Sequence, residues 1–561
     1  MTLRTFLAAA TIAFAQDPGP VDHPMWRPVL MGRHGAVAGE HPLETLAGFH
    51  VLEHGGNAFD AAVAMFYMTG VVEQHQSGIG GDALILAYHA AQKRVLFING
   101  TGPAPQLAAV ARFRKEGGIP ESGILSSTVP GAVGAFHLAL TKYGTKRYPE
   151  LLAEAIDAAR NGHPLTHWSA SMHQAAIKKL SPYPTSVKAL LLDGGAFPVG
   201  HRFVQPDLAN TYDAIAANGA DAFYRGTIAT RTAAFYEKNG GLIRLDDLRG
   251  YQPEESLPIR TQYKDYEVYQ SAPNSQGIVL LLALNILEGI DLKKMGHNSP
   301  EYLHTIVEAL KLAFADRDRY IADPRVTRIP VEQLLSKKYA TARRAQIGDR
   351  ATEGAAPFGS PGETSSFSIA DKWGNVVSVT HSVNSTFGSG IVVEGAGYVL
   401  NNRLPYFSLD ERDANVLVPG KRPRHTINPA LAIGGKRYFA FNTPGGDNQP
   451  QAMLQAWLNM IEFGMNPQQA LEAPTVTTTN FHASMYPQPI GTRLIVPEIL
   501  AARIGDALRA KGHKIDPSKM QQPYLQQPSG AGAVKMVILD AATGLMQAAV
   551  SPAKDDYAMA W

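Results

Sequence analysis

Residues 351–383 read ATEGAAPFGSPGETSSFSIADKWGNVVSVTHSV, and two physical regimes meet inside them. Up to Gly362 the residues are mostly small, and Pro357, Gly359, Pro361 and Gly362 punctuate the end. Such composition specifies an exposed, cuttable loop, because glycine and proline break regular structure. From residue 366 the pattern turns to strand. Residues 366–370 and 376–383 are β-rich runs joined by the turn-like Asp371-Lys372-Trp373-Gly374-Asn375. A loop ending abruptly against a buried-looking hairpin is the organisation of a self-processing precursor. The expected cut falls between Glu363 and Thr364, giving a large chain of residues 16–363 and a small chain of residues 364–561.

That cut would make Thr364 the first residue of a chain. A threonine hydroxyl is a poor nucleophile until a neighbouring base takes its proton. A free α-amino group, with a pKa near 7.7–8.0, is such a base at neutral pH. Threonine with its own N-terminal amine is one form of the nucleophile–base pair. Thr364 stands out among the chain's threonines because a loop precedes it and a strand follows it.

The rest of the chain bounds the possibilities. With 561 residues it exceeds the size that one ordinary core fills, so one large compound domain or two to three domains are expected. Hydrophobic residues make up 45% and charged residues 18%, the balance of a soluble globular protein. Lys plus Arg is 51 against 49 Asp plus Glu, which leaves no basic footprint for nucleic acid. The densest basic run, Lys421-Arg422-Pro423-Arg424-His425, reads as a solvated loop, with a local anion or carboxylate contact as the alternative. The absence of cysteine excludes disulfides and thiolate chemistry. The histidines are scattered, without H-E-x-x-H spacing, and no Walker or dinucleotide pattern appears, so neither metal nor cofactor is expected. Arg4, the apolar stretch 5–14 and Ala13-Phe14-Ala15 read as a secretory signal over residues 1–15, implying a secreted or periplasmic protein. That stretch is too short to span a bilayer, and no later apolar run is long enough. Helical periodicity marks residues 44–67, broken at Gly55-Gly56-Asn57, and residues 151–161 and 302–321; strands are expected at 83–88 and 95–98.

A set of motifs then points to one family. Thr364-Ser365-Ser366-Phe367-Ser368, Asn384-Ser385-Thr386-Phe387-Gly388-Ser389-Gly390, Leu400-Asn401-Asn402 and Pro444-Gly445-Gly446 resemble the catalytic segments of gamma-glutamyltransferases. Upstream, Gly55-Gly56-Asn57-Ala58-Phe59-Asp60, Val71-Val72-Glu73, Ser77-Gly78-Ile79-Gly80-Gly81, Thr128-Val129-Pro130-Gly131 and Gln276-Gly277-Ile278 are similar in order and kind. The resemblance runs from about residue 35 to the end. It implies an α+β fold, the four-layer αββα sandwich of N-terminal-nucleophile hydrolases, formed by two chains of one precursor that stay associated. It also implies a small-molecule amide or peptide substrate and no cofactor. Thr364 would be the nucleophile, Ser382 would stand where a second hydroxyl bonds it, and the N–H groups of Gly445 and Gly446 would hold the oxyanion.

The implied substrate pocket departs from the family. The arginine that grips the γ-glutamyl carboxylate would fall in residues 98–103, which contain none, and the serine pair reads His425-Thr426. Asn384 is kept, but Arg403 and Tyr406 replace groups that bind an α-ammonium. A cation there repels an ammonium. Arg403 either forks onto a substrate carboxylate or pairs with an acid such as Glu394 or Asp410; His425 is either a ligand contact or a polar wall. Three functions remain open: a glutathione-type gamma-glutamyl enzyme, an amidohydrolase or acylase with another acyl group, and a non-catalytic binding homologue.

Overall fold

All nine residues of the strand Val376–Asn384 are buried, so both its faces are covered, and the covering layers define the fold. In the computed structural model, which describes residues 26–352, 363–518 and 532–561, this strand lies at the centre of a seven-stranded sheet. The order is Tyr557–Ala560, Gly35–Gly39, Glu363–Asp371, Val376–Asn384, Asp82–His89, Arg94–Gly100 and Glu254–Ser256, with every neighbour antiparallel. A second antiparallel sheet of seven runs Leu30–Gly32, Leu545–Val550, Lys535–Asp540, Arg437–Asn442, Ala430–Gly434, Tyr266–Gln270 and Ile259–Tyr263. Both sheets combine strands from before and after Thr364. The expected signal segment and residues 353–362 of the expected loop lie outside the described residues.

Small and branched side chains such as Ala38, Leu84, Leu431, Ala440 and Val537 fill the space between the sheets. Helices Pro42–Glu53, Ala58–Val72 and Ala132–Tyr143 cover the outer face of the first sheet. Helices Ile278–Leu287 and Gln449–Ile461 cover the second, with Pro300–Tyr320 packed against Ile278–Leu287. The four layers are α, β, β, α, as the resemblance implied. The break read at Gly55-Gly56-Asn57 separates two helices, and Asn57 caps the second by accepting from Phe59 N and Asp60 N at 2.9 and 3.0 Å.

The basic run 421–425 is not a solvated loop. Lys421, Arg422, Arg424 and His425 are all buried. Their charges are met inside the protein: Lys421 Nζ donates to Ala414 O at 2.6 Å, Arg422 pairs with Glu254 at 2.5 Å, and Arg424 lies 3.6 Å from Asp318. Composition alone could not show these partners, and the two acids come from distant parts of the chain.

A buried ion cluster ties the two sheets. Lys535, at the start of its strand, lies 3.2 Å from Glu40 and 3.1 Å from Asp556, and Lys554 lies 2.8 Å from Glu40. Glu40 also accepts from Ser366 N at 3.1 Å, two residues beyond Thr364. Removing one member of a buried ion pair strands the other at a cost of about 3–5 kcal/mol. Lys535→Met should therefore lower stability by about that amount in denaturant titration; an unchanged midpoint would show that Lys554 alone compensates.

Candidate active site

The pairing of Glu363–Asp371 with Val376–Asn384 carries an irregularity at the residue of interest. Ser365 faces His381 and Glu363 faces Asn384, so Thr364 alone stands opposite both Ser382 and Val383. An extra residue of this kind bends a strand and re-aims side chains. Here Thr364 Oγ1 donates to Ser382 Oγ at 3.4 Å, and Ser382 Oγ accepts from Asn384 N at 2.7 Å. Asn384 leaves the strand at φ 89°, a left-handed conformation that asparagine tolerates better than most residues.

From Asn384 a chain of hydrogen bonds crosses the site. Its Oδ1 accepts from Tyr406 OH at 2.6 Å and from Arg403 Nη1 at 3.1 Å. Tyr406 OH and Thr426 Oγ1 are 2.8 Å apart. Beyond Thr426, Gln276 Nε2 donates to Thr426 O at 2.9 Å and to Gly446 O at 3.0 Å. Arg317 Nη1 donates to Gln276 Oε1 at 2.9 Å and to Asp447 Oδ1 at 2.5 Å, which fixes the Gly445-Gly446 turn from behind. Gly445 and Gly446 have φ of 115° and 56°, which glycine adopts without Cβ strain. Among the described residues, neither glycine N–H donates to a backbone carbonyl outside regular structure. Thr364, Ser382, Asn384, Arg403, Tyr406, Thr426 and the Gly445-Gly446 turn are thus brought into one network.

Arg403 is fully buried, its guanidinium 5.0 Å from the centre of the Tyr406 ring. Neither acid suggested from sequence reaches it: Glu394 lies 4.0 Å from Lys238 and Asp410 pairs with Arg412 at 2.7 Å. Its nearest carboxylate is Asp82, 3.9 Å from Nε, and Nε and Nη2 have no hydrogen-bond partner among the described residues. Asp82 also takes the His425 side chain, Nε2 to Oδ2 at 3.1 Å, while His425 Nδ1 accepts from Ile427 N at 3.2 Å. Both His425 ring nitrogens are thus taken by protein groups, and burial first, with Arg403 second, holds its pKa well below the ordinary value. Burial pushes the Asp82 carboxyl up to about 7, against the pull of Arg403 and the Gly102 N–H. In residues 98–103, Asn99 Nδ2 and Thr101 Oγ1 bond the Asn274 side chain at 2.9 and 3.2 Å, so amides occupy the region that offers no arginine.

Sequence reading missed Asp82, Gln276, Arg317 and Asp447. The signals available were a lone acid following Gly80-Gly81 at the start of an apolar strand, and Gln276 inside a quoted motif. Neither gave a role, because each acts through residues far away in sequence.

The gamma-glutamyltranspeptidase family model matches residues 45–561. The chain is 38% identical over 448 residues to the glutathione hydrolase-like YwrD proenzyme of Bacillus subtilis (strain 168), spanning 79% of this chain and 85% of that one. It is 34% identical over 500 residues to the acylase ACY 1 proenzyme of Pseudomonas sp. (strain SE83), spanning 86% and 88%. The crystal structure of cephalosporin acylase from Bacillus halodurans matches with a TM-score of 0.88 at 34% identity, over 98% of this chain and 99% of that one. Over most of its length and in its four-layer fold, the chain belongs to the gamma-glutamyltranspeptidase family of hydrolase and transferase enzymes, as a divergent member.

Proposed function

We propose that the chain is a self-processing amide hydrolase or acyltransferase whose acyl group carries a carboxylate and no neighbouring ammonium. In the precursor, Thr364 Oγ1 attacks the Glu363 carbonyl carbon. The C–N bond breaks as the nitrogen takes up a proton, and water hydrolyses the resulting ester. Thr364 then holds a free amine, which takes the hydroxyl proton as Oγ1 attacks a donor amide and passes it to the departing amine. Water or an amine acceptor releases the acyl group. Ser382 orients the nucleophile, and the N–H groups of Gly445 and Gly446 hold the oxyanion, each such donor typically contributing about 2.7–4 kcal/mol. The apolar stretch after Arg4 supports export, and no helix among the described residues is long and apolar enough to cross a membrane.

One observation carries the acyl assignment. Arg403 is buried with Nε and Nη2 unsatisfied, beside Asn384 and Tyr406. A carboxylate would accept from those two donors in charge-assisted bonds, whereas an ammonium would face repulsion. The second reading, a gamma-glutamyl donor of glutathione type, is supported by Asn384, which the family keeps. A non-catalytic homologue fits poorly with Thr364, Ser382 and the glycine turn all in place.

Processing is tested by N-terminal sequencing. The parent should yield a small chain starting at Thr364, Thr364→Ala should stay uncut and inactive, and Thr364→Ser should retain part of both activities. Normal cutting in Thr364→Ala would move the nucleophile elsewhere.

For the acyl group, kcat/KM should favour a glutaryl anilide over its γ-glutamyl counterpart. Arg403→Gln should cut the glutaryl value about 10- to 100-fold, the loss of one or two charged hydrogen bonds. A strong γ-glutamyl preference in both proteins would restore the glutathione-type reading.

Asp82 adds a pH dependence with a definite sign. Below about 7 its carboxyl is neutral and leaves the Arg403 charge to the substrate; above that it ionises and competes. KM for an anionic donor should rise as pH passes upward through about 7, and Asp82→Asn should flatten the profile. A parental KM independent of pH across that range would remove Asp82 from the account.

A further inference from the structure

Histidines that look scattered in sequence converge away from the Thr364 network. His304 and Glu308 are four residues apart on the helix Pro300–Tyr320 and so share one face, roughly 14–20 Å along the helix from Arg317. His513 follows the helix Glu498–Ala510 and brings Nε2 to 2.9 Å from His304 Nδ1. One ligand atom from each of His304, Glu308 and His513 lies within 4.8 Å of the others, and all three residues are buried.

We propose that His304, Glu308 and His513 form a zinc site that clips together the segments on either side of the expected cut. Two ligands at i and i+4 on a helix with a third from a distant segment is a common zinc arrangement, and two His with one Glu is an established donor set. His304 Nε2 donates to Gly348 O at 2.8 Å, which orients the ring and turns the Nδ1 lone pair toward the other ligands, the outer support that metal-binding histidines usually have. Zinc–nitrogen bonds of about 2.0–2.1 Å place two tetrahedral ligands about 3.3 Å apart, so the two rings need only separate by a few tenths of an ångström. A small cavity of about 20 Å³ lined by Lys311, Thr352, Asn480 and His513 adjoins the cluster at His513 and has room for one water.

One group opposes the metal. Lys311 Nζ lies 2.6 Å from Glu308 Oε1 and 3.0 Å from Thr352 O, and its charge would weaken zinc binding. The other carboxylate oxygen accepts from Thr352 Oγ1 at 2.7 Å. Thr352 is the last residue described at the start of the expected processing loop. The clip therefore joins the expected large-chain segment to a histidine of the small-chain segment, in a protein with no cysteine to do that work. That it would join two separate chains rests on the proposed cut; the binding itself does not.

The test uses untagged, chelator-stripped protein titrated with ZnCl2 by calorimetry and thermal denaturation. One zinc per protein should bind, raising the midpoint by about 2–5 °C at saturation. His513→Ala and Glu308→Gln should each weaken binding by at least about tenfold. Lys311→Met should tighten it by about tenfold, a gain that misfolding cannot produce. Uncut Thr364→Ala should bind as the parent does, so failure of the processing reading leaves this one intact. Absence of binding in both the parent and Lys311→Met, or full binding in His513→Ala, would overturn the site.

Discussion

Between two central strands one residue on one side answers two on the other, and the arrangement of the site follows from that mismatch. With Thr364 opposite Ser382 and Val383, the two hydroxyls come to 3.4 Å and the Asn384 N–H turns back onto Ser382 Oγ. Asn384 then exits at a positive φ and presents its side chain to Arg403 and Tyr406. A regular ladder would still set Thr364 opposite Ser382 on one face, but it would pair Glu363 with Val383; the extra residue brings Asn384 opposite Glu363 instead. The strand can hold such an irregularity because helices and a second sheet cover both its faces.

The second constraint is charge in a place without water. Arg403 keeps a guanidinium at zero exposure with one acid 3.9 Å away and two nitrogens unmatched. An unmet buried donor costs about 1–3 kcal/mol, more when charged, so the fold retains a group that stability alone would remove. The Lys535–Glu40–Lys554 cluster is the contrasting case, where each charge has a partner and the result is cohesion between sheets.

Family membership does not settle the acyl group. Relatives of comparable identity carry the names glutathione hydrolase-like proenzyme and acylase proenzyme on what is one family sequence pattern. Function of this kind is decided by a few side chains set on a common scaffold. The side chains gathered around Asn384 here are Arg403, Tyr406 and Thr426, with Asp82 beyond Arg403.

Local physics wrote much of the molecule legibly. Glycine and proline before Thr364, the apolar strand runs after it, and the helix break at Gly55-Gly56-Asn57 each depend on neighbours a few residues away, and each could be read directly. The resemblance extended that reading to the four layers and to Thr364, Ser382, Asn384 and the glycine turn as a set. What the sequence could not decide was partnership across distance. Whether Lys421, Arg422 and Arg424 face solvent or distant acids, whether Arg403 is paired, and whether His304 meets His513 are questions of which segments pack together. Charge and hydrogen bonding are settled by separations of a few ångströms between residues tens to hundreds of positions apart, and only the tertiary structure determines those separations.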